Sequence, residues 1–200
     1  MARRAGDRYL TPDGATLALL DQAPEIRGAS CLDPMSGDGR MMARFAPRFK
    51  TLITNDLDPA TPAQHHLDAV GGGGMALWLR EPAWVITNPA FTHAAEVARL
   101  ALRHATRGVA LLLRCTWLEP CRDREWLAET PPLRILALPR ISFTGGGSDS
   151  APAWWYIWER QRGFSRKRAP GELAPWDSSE ALTVITRAQL RAYEEGQARG

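Results

Sequence analysis

The run Val109-Ala110-Leu111-Leu112-Leu113 has no polar position, and Arg114 closes it. A strand with one wet face alternates apolar and polar residues, whereas an unbroken apolar run suits a strand buried on both faces. Such a strand needs a sheet with helices on either side. Residues 30–33, 51–54 and 84–87 also read as short strands, with helix-patterned stretches between them. Strands alternating with helices predict a mostly parallel sheet covered on both faces. Residues 134–139 and 154–159 read as two further strands with no helix between them, joined by Gly145-Gly146-Gly147. They predict an antiparallel hairpin at one edge of a seven-stranded sheet.

The helices are marked by their ends. Thr11 is the expected N-cap of a first helix, with Pro12 as its first residue. A second helix is expected over 37–46 after a glycine turn, then a short one near 61–66 leading to a small element at 67–70. Gly71-Gly72-Gly73-Gly74 reads as a flexible break outside any regular element. Thr92 is the expected cap of a helix to about 106, with Ala94, Ala98, Ala101 and Ala105 on one small-residue face. A short helix is expected over 123–129. The last helix, 186–198, opens with the capping-box pattern Thr186-x-x-Gln189.

Two hundred residues fit one α/β domain, here 1–200 with a core over 8–160 and a polar, basic loop at 161–177. No apolar run is long enough to span a bilayer, and the first residues lack the apolar centre of a secretion signal. Cys31, Cys115 and Cys121 have neither disulfide nor zinc spacing, and the four histidines form no ligand pattern. No metal is expected, and a reducing cytoplasm is the default location. The net charge of +3 argues only weakly for a polyanionic partner. The cations are nearly all Arg, concentrated at Arg3, Arg4 and Arg8 and at Arg160, Arg162, Arg166, Lys167 and Arg168. The forked guanidinium suits phosphate, although for any one of these a solvated surface residue is the simpler reading.

Ligands of open α/β sheets sit beyond the carboxyl ends of the strands. Asp33-Pro34-Met35-Ser36-Gly37-Asp38-Gly39 falls at such an end, and Gly37 and Gly39 let backbone approach a ligand. Met42 breaks the G-x-G-x-x-G spacing of dinucleotide binders, and no Gly-Lys-Ser/Thr follows for a phosphate loop. Asp56 ends the second strand, where a carboxylate can accept bonds from ribose hydroxyls. Asp68 follows the small third element, where it can accept from an adenine amino group. With Asp33 they favour a ligand bearing an ammonium and a sulfonium over one bearing a pyrophosphate. After the strand at 84–87 comes Asn88-Pro89-Ala90-Phe91. There an amide can hold a planar amino group while a ring stacks on the same substrate.

In this order, the motifs resemble the class I S-adenosylmethionine-dependent methyltransferases, and most of all the small phage-type adenine-N6 DNA branch. The segment from Asp33 to Gly39 matches that family's D-P-x-x-G-x-G motif. Tyr9-Leu10-Thr11-Pro12 is similar to its upstream Thr-Pro turn, and Asn88-Pro89-Ala90-Phe91 to its Asn-Pro-Pro-Tyr/Phe tetrapeptide, with Ala90 in place of the second proline. The resemblance implies a Rossmann-like domain with S-adenosylmethionine held by Tyr9, Thr11, Asp33, Pro34, Met35, Gly37, Gly39, Asp56, Leu57, Asp68 and Asn88. It implies catalysis at Asn88, Pro89 and Phe91 on an adenine amino group, with DNA as partner. Phe143 and Trp154 become candidate walls of the base pocket, although core packing explains the tryptophans more simply. Arg114 and Arg140 become candidate phosphate contacts. The same turn would serve RNA or a protein glutamine, and a silent binding protein of the same fold is a third reading. With only 55 residues between Asp33 and Asn88, no separate recognition domain is expected between the two motifs.

Overall fold

The computed structural model describes residues 10–118, 126–127, 130–141, 152–160, 182–184 and 187–197. The elements run α1 (Asp13–Gln22), β1 (Gly28–Asp33), α2 (Arg40–Phe45), β2 (Phe49–Thr54), α3 (Met75–Trp78), β3 (Trp84–Thr87), α4 (Ala94–His104), β4 (Gly108–Arg114), β5 (Arg134–Ala137), β6 (Ala153–Glu159), β7 (Leu182–Val184) and α5 (Arg187–Gln197). One seven-stranded sheet has the order β2-β1-β3-β4-β6-β5-β7. The β1–β2, β1–β3, β3–β4 and β5–β7 pairings are parallel, and β6 runs antiparallel to both of its neighbours. The expected α/β class and the β5–β6 antiparallel pair are present, and the sheet has seven strands, although β7 rather than an element at 67–70 supplies the seventh. The pair does not form the edge, however, because β7 lies outside β5.

β4 shows why the apolar run dictates the rest. Ala110 and Leu112 enter one core, with Ala15, Leu19, Phe45, Trp155 and Leu190. Val109, Leu111 and Leu113 enter the other, with Val97, Ala101, Trp117 and Trp158. Strand side chains alternate between faces, so the run fills both cores at once. Helices α1, α2 and α5 cover the first face; α3 and α4 cover the second. The expected alanine face of α4 is buried throughout. Trp155 and Trp158 are fully buried, and Trp154 packs half-buried against both cores.

Two guanidiniums close helix ends. Arg48 donates to the Ala23 and Leu20 carbonyls at 3.2 and 2.8 Å beyond α1. Arg160 donates to the Ala105 and Leu102 carbonyls, both at 2.9 Å, beyond α4. Such side chains satisfy the orphan carbonyls of a helix C-terminus. Arg160 is therefore a structural residue rather than part of a phosphate-binding stripe.

Several local expectations are corrected. Pro12, not Thr11, is the N-cap of α1, and no side chain caps it. α2 starts at Arg40 because Gly37 and Gly39 are left-handed and belong to the turn before it. α4 is capped at His93, not Thr92, after a short 3-10 turn over Phe91–His93. No helix forms over 61–66 and no strand over 67–70; an isolated parallel bridge, Asn55 to His65, stands in their place. The four glycines are not a loose break. Gly72–Gly74 form a 3-10 turn leading into α3. The expected helix at 123–129 is described only at residues 126–127, and Thr186 lies outside the described residues.

A Cβ on Gly74 would sit 2.1 Å from the Asp68 carbonyl oxygen, whereas one on Gly73 would meet nothing within 4 Å. Gly74→Ala is expected to lower stability by ~1–3 kcal/mol or more through forced backbone displacement. Gly73→Ala should stay within ~0.5 kcal/mol of the parent. Urea denaturation of the two variants checks the contrast, and equal midpoints would return the segment to a featureless linker.

Candidate functional site

The strand order sets the carboxyl ends of β1, β3 and β4 side by side. A cleft opens there, lined by Leu10, Thr11, Asp33, Met35, Ser36, Gly37, Asp38, Arg40, Met41 and Asn88. The register aligns Leu32 with Val85, so Asp33 and Asn88 leave neighbouring strands into one space.

The loop from Asp33 to Gly39 is held by its own backbone donors. Met35 N–H donates to Asp33 Oδ1 at 3.1 Å and Ser36 N–H to the Asn55 carbonyl at 2.8 Å. Gly37 N–H donates to Asp56 Oδ2 at 2.9 Å, Gly39 N–H to the Ser36 carbonyl at 3.0 Å and Arg40 N–H to Asp38 Oδ1 at 3.2 Å. Gly37 and Gly39 have φ of +56° and +78°, which a side chain would strain.

Asp33 is 1% exposed. Burial pushes its carboxyl up to about 7; the Thr87 hydroxyl and the Met35 N–H pull the other way, and the Asp56 charge adds a further push upward. Thr87 Oγ1 is buried beside it without a hydrogen bond of full geometry. Ser36 Oγ is also buried and lacks a partner. The cleft floor thus holds a desolvated carboxyl and the Ser36 hydroxyl, with the Thr87 hydroxyl behind Asp33. The Cys31 thiol below is raised well above its ordinary value by burial and then by Asp33, which makes it a poor nucleophile.

Thr11, Asp33, Met35, Gly37 and Asn88 come together as the sequence predicts. Pro34 is buried within the loop and Gly39 ends it; neither lines the cleft. Asp56, 3% exposed, is likewise not a lining residue. Its carboxylate accepts from the Gly37 and Asp58 N–H groups at 2.9 and 3.0 Å, so it grips the loop from behind. Leu57 next to it is 54% exposed. Asp68 follows no strand; its Oδ1 accepts from the Val70 and Gly71 N–H groups at 3.2 and 3.1 Å.

On the substrate side Pro89 is buried and Phe91 half-buried. The Arg114 guanidinium carbon lies 4.4 Å from the Phe91 ring centroid, within cation–π range. Arg140 is exposed beyond β5 and Trp154 half-buried at the start of β6, on the same sheet edge. Tyr9 and Phe143 lie outside the described residues. Sequence reasoning missed Leu10, Ser36, Asp38, Arg40 and Met41 as lining residues, and it missed Asn55 altogether. Ser36 was legible as a hydroxyl inside a glycine turn. Among the described residues no group of three or more His, Cys, Asp or Glu could hold a metal, and no helix is long and apolar enough to cross a membrane.

No family model matches the chain, and no curated protein does. Solved structures do. A Listeria monocytogenes protein assigned to the class I S-adenosylmethionine-dependent methyltransferases superposes with a TM-score of 0.61 at 13% identity, over 98% of this chain and 72% of that one. The methyltransferase subunit of a type I restriction-modification system from Streptococcus thermophilus gives 0.58 at 14% identity, over 94% of this chain. This chain spans 53% of that subunit, about half its length. A predicted O-methyltransferase from Agrobacterium tumefaciens gives 0.54 at 15% identity, over 93% of this chain and 97% of that one. The chain therefore has the class I methyltransferase fold. These neighbours differ in what they act on, so the fold leaves the acceptor undetermined.

Asp33 carries a stability signature. Its folded pKa of about 7 exceeds the unfolded value of 3.8. Its contribution is complete below about pH 4 and is lost as pH rises through about 7. The stability of the parent minus that of Asp33→Asn should fall across this window, as followed by urea denaturation in half-unit steps. A flat difference would leave the folded carboxyl at its ordinary value, and a rising one would place it below that value.

Proposed function

We propose that the chain transfers a methyl group from S-adenosylmethionine to the exocyclic amino nitrogen of adenine in DNA. The observation carrying this reading is that Asp33 and Asn88, from adjacent parallel strands, line one cleft. The donor set fits the cofactor. Asp33 offers a carboxylate to its ammonium, the orphan Ser36 hydroxyl a further polar contact, Gly37 a close backbone approach and Leu57 an apolar face to its adenine. The cofactor supplies a methyl group made electrophilic by its sulfonium.

Asn88 and Pro89 supply what the acceptor lacks. The lone pair of an aromatic amine is delocalised into the ring, so the nitrogen is a weak nucleophile. The Asn88 side-chain oxygen and the Pro89 carbonyl accept its two hydrogens, favour a pyramidal nitrogen and stabilise the positive charge that develops there. The amine needs positioning rather than covalent activation. Phe91 stacks on the base, worth ~1–3 kcal/mol. A paired base cannot reach such a cleft, so the target nucleotide is flipped out or single-stranded. The restriction-modification subunit among the fold's neighbours supports DNA over other acceptors. Arg114 and Arg140, exposed on the same edge, suit its phosphates.

Purified protein with methyl-labelled donor is offered DNA, RNA and cell-extract protein in parallel, and the labelled product is identified after digestion. Methyladenine from DNA is expected. Label confined to RNA or to protein glutamine would transfer the same chemistry to another acceptor, and no label with donor still bound would mark a silent binder. Asn88→Ala should abolish turnover while donor binding persists. Turnover near that of the parent would remove Asn88 from the mechanism.

Phosphate contact has its own readout. Arg114→Ala and Arg140→Ala should each weaken DNA binding and reduce the dependence of log affinity on log salt by about one unit. Unchanged slopes in a salt titration would place both side chains off the phosphate path.

A further inference from the structure

Ala90 stands between Pro89 and Phe91 with φ −54° and ψ 129°. That φ falls within the range a proline ring imposes. Unlike a proline, Ala90 carries a backbone N–H, and this half-buried donor needs an acceptor. It donates to the thioether sulfur of Met35 at 3.4 Å. Met35 belongs to the glycine loop, 55 residues upstream, and lines the cleft together with Asn88.

We propose that Met35 is a positioning residue whose sulfur, by accepting the Ala90 N–H, holds the Asn88–Phe91 turn against the loop that binds the cofactor. The proposal deepens the methyltransferase reading and rests on Asn88 acting in that turn. At position 90 the chain keeps the backbone angle of a proline but fixes it through a tertiary contact. Thioether sulfur is a weak acceptor. It is still the acceptor that reaches this N–H, and it joins the two loops whose spacing sets the distance from donor to amine. A ring at position 90 would set φ covalently and remove the N–H, so the sulfur would have nothing left to hold.

The test uses the full chain with Met35→Leu, Ala90→Pro and the double variant. Leucine keeps the volume and removes the acceptor, so the fold should persist. In Met35→Leu, the Ala90 amide should exchange faster with deuterated water. Its kcat on an adenine-containing oligodeoxynucleotide should fall about two- to tenfold, the worth of one hydrogen bond. In the Ala90→Pro background the same Met35→Leu change should cost less than about twofold, because the N–H is gone.

Equal kcat losses in both backgrounds would overturn the proposal, since Met35 would then act on the donor directly. Unchanged Ala90 exchange in Met35→Leu would overturn it as well. Should the parent protein transfer no methyl group to any acceptor, the proposed function fails, yet amide exchange still decides this inference. Faster exchange in Met35→Leu upholds the contact, and unchanged exchange removes it.

Discussion

Asn55 is the fastener on which the site depends. It is fully buried just after β2. Its N–H donates to the Asp33 carbonyl at 2.9 Å, and its own carbonyl accepts from Ser36 at 2.8 Å. Its side-chain nitrogen donates to the Pro34 and Leu67 carbonyls at 2.9 and 3.0 Å, while its side-chain oxygen accepts from Leu67 N–H at 2.9 Å. One amide therefore binds the end of β1, the glycine loop and the segment at 65–67. That segment takes the place where a further strand was expected, and the isolated bridge to His65 is its only ladder contact among the described residues. Each buried group left unpaired by losing this side chain would cost about 1–3 kcal/mol. Helix and strand propensities cannot supply what holds the loop; a side-chain network does.

Three acids that the sequence places at strand ends show how far such a signature reaches. Asp33, Asp56 and Asp68 share a position relative to their segments, and the sequence treats them alike. The structure separates them by their hydrogen bonds. Asp33 faces the cleft, Asp56 is spent on the Gly37 and Asp58 N–H groups, and Asp68 caps its own turn. A short acidic side chain binds the backbone one to three residues away as readily as it binds a ligand. Only the tertiary partner decides. For Asp56 that partner is Gly37, 19 residues upstream, and no local pattern announces it.

The same division holds for the fold. Strand positions were legible because burial writes itself into consecutive apolar residues, as in β3 and β4. Strand order was not. β6 lies between β4 and β5 because antiparallel pairing aligns Leu112 with Trp155, a contact with no trace in either segment alone. β7 has three residues, too few for a period to show. Gly74 reads as part of a flexible break because glycine has two uses, conformational freedom and close approach, and composition cannot tell them apart. Here the close approach of the Asp68 carbonyl is the use.

A glycine turn between a strand and a helix usually invites a phosphate, because its N–H groups point at the ligand. In this chain the N–H groups of Met35, Ser36, Gly37, Gly39 and Arg40 already have acceptors within the protein. The helix that follows has only six residues and no side-chain cap. The donors an anion needs are occupied, and the group facing the cleft is a carboxyl that burial holds near neutrality. An anion there would meet a nascent like charge. A cation would recover the energy that desolvation withholds from Asp33 and would displace the proton that burial favours on its carboxyl. Asp56 and Asn55 thus take up two of the loop's donors and leave the Ser36 hydroxyl without a partner beside Asp33, in a cleft that Thr11, Asp38, Arg40 and Asn88 also line.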